Sequence, residues 1–273
     1  MKTDRVAIIW HIVLISGVIL ILFPLIYALS NSFKTLQDAF NNVFSLIPRE
    51  FTLDNYRHVF ARQDFLRITL NTLTIAMAVT FFKLATSVFA AYGLVFFDFK
   101  WKNIVYFLLI STMFIPFSVT MIPNYITISS WGLRDKLIGV ILPQLADALG
   151  IFFMRQSMRG VPNTIIEYAK LEDIGHGKML KDIIVPMIKP NIISTGIIFF
   201  VNSWNEFVWP VLMIRSQDKY TLSLALQMYI SSEGGTDFTI AMSVSVITMI
   251  LPIILFLVFQ KQIISTFSTS GLK

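Results

Sequence analysis

Four carboxylates, Glu167, Glu172, Asp173 and Asp182, share one short connector with Lys170, Lys178 and Lys181. Long apolar runs flank it on both sides. No nucleophile–base pair or metal set accompanies these groups. His11, His58 and His176 are far apart and lack the His-Glu-x-x-His spacing of a metal hydrolase. Gly175-His-Gly-Lys178 echoes a phosphate loop, but the first glycine would fall on Glu172. No Gly-x-Ser-x-Gly elbow occurs, and the chain has no cysteine, which excludes disulfides, thiolate metal sites and thiol catalysis. The chain is therefore expected to be no enzyme, to hold no metal or cofactor and not to bind ATP. What mixed charge at a membrane surface can do is dock. An interfacial hairpin pressed on lipid is the simpler alternative, but four acids oppose contact with anionic lipid and favour a protein partner.

The connector spans 157–190. Pro162 and Asn163 end the run before it. Thr164-Ile-Ile-Glu167 fits a capping box, with Thr164 as N-cap and Glu167 reaching back. Ile165, Ala169 and Glu172 fall near one helical face. Gly175 and Gly177 permit a sharp turn. A second short amphipathic segment follows, closed by Pro186 and Pro190. A helix-turn-helix at the membrane surface results.

A second group lies in an apolar run. Asn202, Asn205, Glu206 and Trp209 recur at i, i+3, i+4 and i+7, and so would share a helical face. An acidic group at mid-bilayer costs about 3 kcal/mol on insertion scales, so this face should turn to a bundle interior. Pro210 would free the Glu206 carbonyl. Asp147, three residues after Gln144, could line a path or cap a helix broken near Pro143. Lys83 either snorkels or pairs with an acid.

Over half of the 273 residues are hydrophobic and 14% are charged, against about 25% in soluble domains. Mean hydropathy is +0.71. The expectation is an all-α, polytopic membrane helix bundle forming one domain over 1–273. Six runs can cross a bilayer: 6–30, 67–96, 103–127, 137–156, 191–214 and 238–260. The first follows Lys2 and Arg5 like a signal peptide, but its apolar stretch is too long and reads as a retained span. Pro24, Pro116, Pro123, Pro143, Pro210 and Pro252 fall in these runs. Such breaks suit a bundle with a pathway, although simple kinks are the plainer account. The net charge of +6 resides in connectors, which argues for loops near anionic lipid and against nucleic acid. With both termini inside, twelve Lys and Arg lie on the inner side and nine on the outer, so both termini are placed in the cytoplasm.

The connector resembles the EAA loop of bacterial ABC-importer permeases. That loop reads Glu-Ala-Ala, then a glycine six residues after the Glu, then Ile-x-Leu-Pro. Glu167, Ala169, Ile183, Val185 and Pro186 stand at matching positions. Tyr168 replaces the first middle alanine, and Asp173 stands at the glycine position, behind Glu172. Further segments are similar to the maltose-permease-like second subunit of carbohydrate importers. They include Ser32-Phe-Lys34, Thr52-Leu-Asp-Asn-Tyr56, Pro123-Asn-Tyr125, Trp131-Gly-Leu133, Leu142-Pro143, Phe152-Phe-Met-Arg-Gln156 and the stretch Asn202 to Pro210. Gln260-Lys261 and Gly271-Leu-Lys273 resemble the tail, with Thr266 and Ser270 at its usual glycines.

The resemblance implies a type I ABC-importer permease fold in the bacterial cytoplasmic membrane, importing a sugar. It implies a second homologous permease, a cytoplasmic ABC ATPase dimer and an extracytoplasmic sugar-binding protein as partners, besides the bilayer. It assigns ATPase coupling to Glu167, Tyr168, Ala169, Glu172, Asp173, Ile174, Gly175, Ile183 and Pro186. Asp147, Asn202, Asn205, Glu206 and Trp209 then line the path or join the two permeases. Ser231, Ser232, Glu233, Gly234, Gly235 and Thr236 form the outer tip that would meet the binding protein. The alternatives are a secondary transporter driven by an ion gradient, and an ABC permease for a non-sugar solute. The first would want repeats and paired mid-membrane charges; no repeat is evident and buried charges are few.

Overall fold

A computed structural model describes residues 2–62, 64–230 and 238–269, with side chains over 7–61, 64–227 and 238–261. The described residues are helical apart from turns and one isolated antiparallel bridge, Lys34 to Phe51. The helices are α1 (Lys2–Ser32), α2 (Leu36–Asn41), α3 (Asp54–Arg62), α4 (Phe65–Phe96), α5 (Lys102–Ser111), α6 (Phe117–Ser130), α7 (Leu137–Ile141) and α8 (Ala148–Arg159). They continue as α9 (Asn163–Leu171), α10 (His176–Lys178), α11 (Val185–Met187), α12 (Lys189–Trp204), α13 (Val208–Met213), α14 (Leu222–Ile230) and α15 (Phe238–Thr269). Two compact units emerge: Met1–Ile68 with Leu222–Ile253, and Thr69–Thr221 with Ile254–Lys273.

Three helical stretches are single apolar rods long enough to cross a bilayer: Ala7–Ser32, Phe65–Phe96 and Phe238–Lys261. Pro24 and Pro252 sit inside such rods without ending them. The other three expected spans are broken. The run 103–127 is two helices meeting at 98°. Pro116 lacks an N–H and forces Ile115 into extended backbone (ψ 113°), so α5 and its 3₁₀ tail cannot continue into α6. The run 137–156 bends by 47°. Pro143 lies in the 3₁₀ turn Leu142–Gln144, and Asp147 starts α8. The run 191–214 stops at Trp204 and restarts at Val208.

In the first unit the polar segment after α1 is built around Asn55, which is buried. Its Nδ2 donates to the carbonyls of Ser32 (2.9 Å) and Lys34 (2.8 Å), and its Oδ1 accepts from Thr239 Oγ1 (3.0 Å). Tyr56 donates to Ser32 Oγ (2.8 Å). The segments Ser32–Lys34 and Thr52–Tyr56 thus meet, and bind the first turn of α15. Asn55→Asp would turn two donors into acceptors facing carbonyls. It is expected to cost about 3 kcal/mol, read as a lower thermal unfolding midpoint, whereas an unchanged midpoint would remove Asn55 as the hub.

The second unit is held by close helix approach. A Cβ on Gly150 of α8 would strike Ser87 Oγ of α4 and come within 2.7 Å of the Phe199 ring of α12. A Cβ on Gly139 would strike the Leu133 carbonyl. Small residues at these two positions leave room for close packing where lipid offers no hydrophobic drive.

Candidate coupling surface and membrane polar groups

The connector forms α9, a turn, α10, a π-helical stretch Met179–Ile184 and α11. The expected capping box does not form. α9 begins at Asn163 with Pro162 as N-cap, and no side chain caps it. Thr164 is therefore already helical, two residues past the cap position. Pro162 is pre-set for the entry, and its missing N–H costs nothing outside the helix.

Ile166 and Ala169 point inward. They join Ala91 and Tyr92 of α4, Met154 and Met158 of α8, and Met179, Ile184 and Ile188 in one apolar core. Ala169 is 1% exposed, so its side chain packs inside this chain and offers nothing to a partner. The outward face carries Glu167, Tyr168, Lys170 and Leu171, with Tyr168 65% and Leu171 84% exposed. Leu171 was not singled out from sequence. Its signal was an apolar residue about 200° around the helix from Ala169, out of phase with the buried stripe. Glu172, Asp173, Gly175 and Pro186 are exposed as well, while Ile174 and Ile183 pack on the core.

The turn after α9 resolves the glycine question. The Ile174 amide bonds the Ala169 carbonyl (2.9 Å) and the Asp173 amide bonds the Lys170 carbonyl (3.1 Å). This is a Schellman closure, whose C′ residue must be left-handed. Asp173 is that residue, at φ +51°. Gly175 is extended at φ −62°, so the sharp turn lies at Asp173 and not at the glycines. Aspartate tolerates left-handed backbone better than most residues. Asp173→Gly is expected to raise stability by up to about 1 kcal/mol and Asp173→Val to lower it by about 2 kcal/mol. Thermal midpoints of the purified variants check the order Gly, Asp, Val.

The loop is also pinned to the end of α4. Tyr92 Oη lies 2.9 Å from His176 Nδ1, and Phe97 stacks on the same ring at 4.4 Å. On α8, Arg155 lies over the Tyr106 ring at 3.8 Å.

The four polar positions of the fifth run do not share a helical face, because the helix breaks between Trp204 and Val208. Asn202 and Asn205 are exposed, Glu206 is half-buried, and Trp209 is 1% exposed. Glu206 Oε1 accepts from the Trp209 amide (3.1 Å) and so caps α13. Trp209 Nε1 donates to the Gly139 carbonyl (3.3 Å), which places the indole in this chain's own core. Pro210 falls in the first turn of α13, where an N–H has no helical partner, so it frees no helical carbonyl.

Asp147 both caps and pairs. Oδ1 accepts from the amides of Leu149 (2.9 Å) and Gly150 (3.2 Å), and Oδ2 meets Lys83 Nζ at 3.1 Å. Lys83 also lies 5.2 Å from the Phe199 ring centre. Further along, left-handed Asp135 (φ +56°) gathers the 214–219 segment. It accepts from the Ser216 hydroxyl and amide, the Arg215 amide and Lys219 Nζ. The Ser216 hydroxyl and amide and the Lys219 ammonium hold its carboxyl down at about 2. The expected outer tip, Ser231 to Thr236, lies outside the described residues.

Comparison with known proteins follows the same lines. The family described as binding-protein-dependent transport system inner membrane component matches residues 68–267. The sn-glycerol-3-phosphate transport system permease protein UgpE of Yersinia pestis bv. Antiqua is 30% identical over 258 residues, 92% of each chain. Its namesake in Escherichia coli O1:K1 is 28% identical over 261 residues, 93% of each chain. Among solved structures, a chain of a bacterial ABC transporter involved in import of the acidic polysaccharide alginate gives a TM-score of 0.86. It is 22% identical, over 96% of this chain and 98% of that one. A chain of the alginate transporter in complex with an alginate pentasaccharide-bound periplasmic protein gives 0.68 at 14% identity, over 94% of each. The fold is that of an ABC-importer permease. This chain belongs to the family of inner-membrane components of binding-protein-dependent transport systems, as a multi-pass permease subunit.

Proposed function

We infer that this chain is one of two homologous permeases of an ATP-driven importer for a carbohydrate or related polyhydroxylated solute. The relatives support the solute class: one is named for a phosphorylated polyol, another for an acidic polysaccharide. The chain acts as a single transmembrane domain over 1–273, with six spans and both termini in the cytoplasm. It burns no ATP; a separate cytoplasmic ATPase dimer does. An extracytoplasmic binding protein delivers the solute and meets Ser231–Thr236.

The observation that carries the coupling role is the two-sided α9. Its inner face is continuous with the core of α4 and α8, and its outer face leaves Tyr168 and Leu171 bare. A push on that outer ridge is therefore transmitted to two membrane helices through close packing. Asn202, Asn205 and Glu206 line the path or the seam with the second permease. Proteoliposomes holding the chain, its second permease, the ATPase and the binding protein test the reading. ATP-dependent uptake of alginate oligosaccharides or sn-glycerol-3-phosphate is expected, and is lost when ATPase or binding protein is omitted. Accumulation by this chain alone would overturn it.

A further inference from the structure

The segment between α1 and α3 carries an apolar tip with no charged side chain from Phe40 to Ile47. Phe40 is 58%, Phe44 92% and Ile47 78% exposed. Isolated exposed hydrophobics need no explanation, but a rigid cluster of them does.

The loop that carries this cluster is tied down by hydrogen bonds. Lys34 is completely buried beneath it, and its Nζ donates to the carbonyls of Ser45 (2.6 Å) and Asn42 (3.4 Å). Ser45 Oγ donates to the Ile47 carbonyl (2.8 Å), and the Ser45 amide to that of Asn42 (3.1 Å). Asp38 takes the Arg49 amide (2.9 Å) and the Asn42 side chain (2.8 Å). A buried lysine thus draws backbone acceptors inward while phenylalanines turn outward. Such a loop is suited to a medium that cannot solvate carbonyls.

Its level in the molecule names that medium. α2 begins four residues after the apolar rod of α1 ends at Ser32. Asn55 ties the end of α1 to Thr239 at the start of α15, another rod. The tip therefore adjoins the ends of two apolar rods, and the Phe40 ring lies 6.2 Å from that of Phe238 in the first turn of α15.

We propose that the Phe40–Ile47 tip is a membrane-interface anchor, with Phe44 and Ile47 inserted among the headgroup-proximal acyl-chain segments of the leaflet at which α1 terminates. The occupant is lipid, and the anchor fixes the level of the polar segment that Asn55 organises.

The chain has no cysteine, so single labels can be placed cleanly. Phe44→Cys and Ile47→Cys, each carrying a nitroxide, are measured in the assembled transporter in phosphatidylethanolamine/phosphatidylglycerol vesicles. Collision with oxygen, which partitions into lipid, is expected to exceed collision with a water-soluble nickel chelate at both positions. Nickel collisions exceeding oxygen collisions would put the tip in water and overturn the proposal. Protection from both reagents would assign the tip to a protein partner and overturn it equally. None of these outcomes depends on which solute is carried.

Discussion

Ala169→Glu is expected to destabilise the chain by about 4 kcal/mol and to abolish uptake by loss of folded protein. The side chain enters a closely packed apolar core of Met154, Met158, Ile166, Met179 and Ile184, in which a carboxylate is disfavoured by both volume and charge. Thermal unfolding and membrane yield should both fall. Leu171→Glu makes the contrasting case. Leu171 is 84% exposed, so stability should change by less than about 0.5 kcal/mol, while uptake is lost because the ridge no longer seats on its partner. Equal stability of the two variants would show that Ala169 is not a core residue.

The second large effect concerns the pair between α4 and α8. Lys83→Met removes the cation that Asp147 pairs with, and Asp147→Asn removes the anion that Lys83 pairs with. Each is expected to cost about 2 kcal/mol, because removing one partner of a half-buried pair leaves the other charge without its counter-ion. The double variant removes both charges, and asparagine still caps the amides of Leu149 and Gly150. It should recover most of the loss. Thermal midpoints of the four proteins close the cycle; simple additivity would show that the two groups do not support each other.

The sequence made the membrane bundle, the connector and its helix-turn-helix character legible, because long apolar runs and a polar insert are one-dimensional signals. It did not show which face of α9 turns inward. Spacing groups Ile165, Ala169 and Glu172 on one face, but the buried pair is Ile166 and Ala169 while Glu172 is exposed, because the core that receives them is assembled from α4, α8 and the π-helical stretch. The same limit hid the partner of Lys83, which lies 64 residues away. The shared face of Asn202, Asn205, Glu206 and Trp209 assumed an unbroken helix, and the break before Val208 separates them. Asp173 shows the reverse. The departure from a glycine pattern left the turn open, yet the hydrogen bonds demand a left-handed residue there and aspartate supplies it.

Force is proposed to enter the permease through the outer face of α9. Cysteine placed singly at Leu171 and at Ala169 of this cysteine-free chain, with a short bifunctional reagent in the assembled transporter, tests it. A cross-link to the ATPase subunit is expected from Leu171→Cys and not from Ala169→Cys. Failure of the first with success of the second would show that the outer face of α9 is not the surface that meets the ATPase.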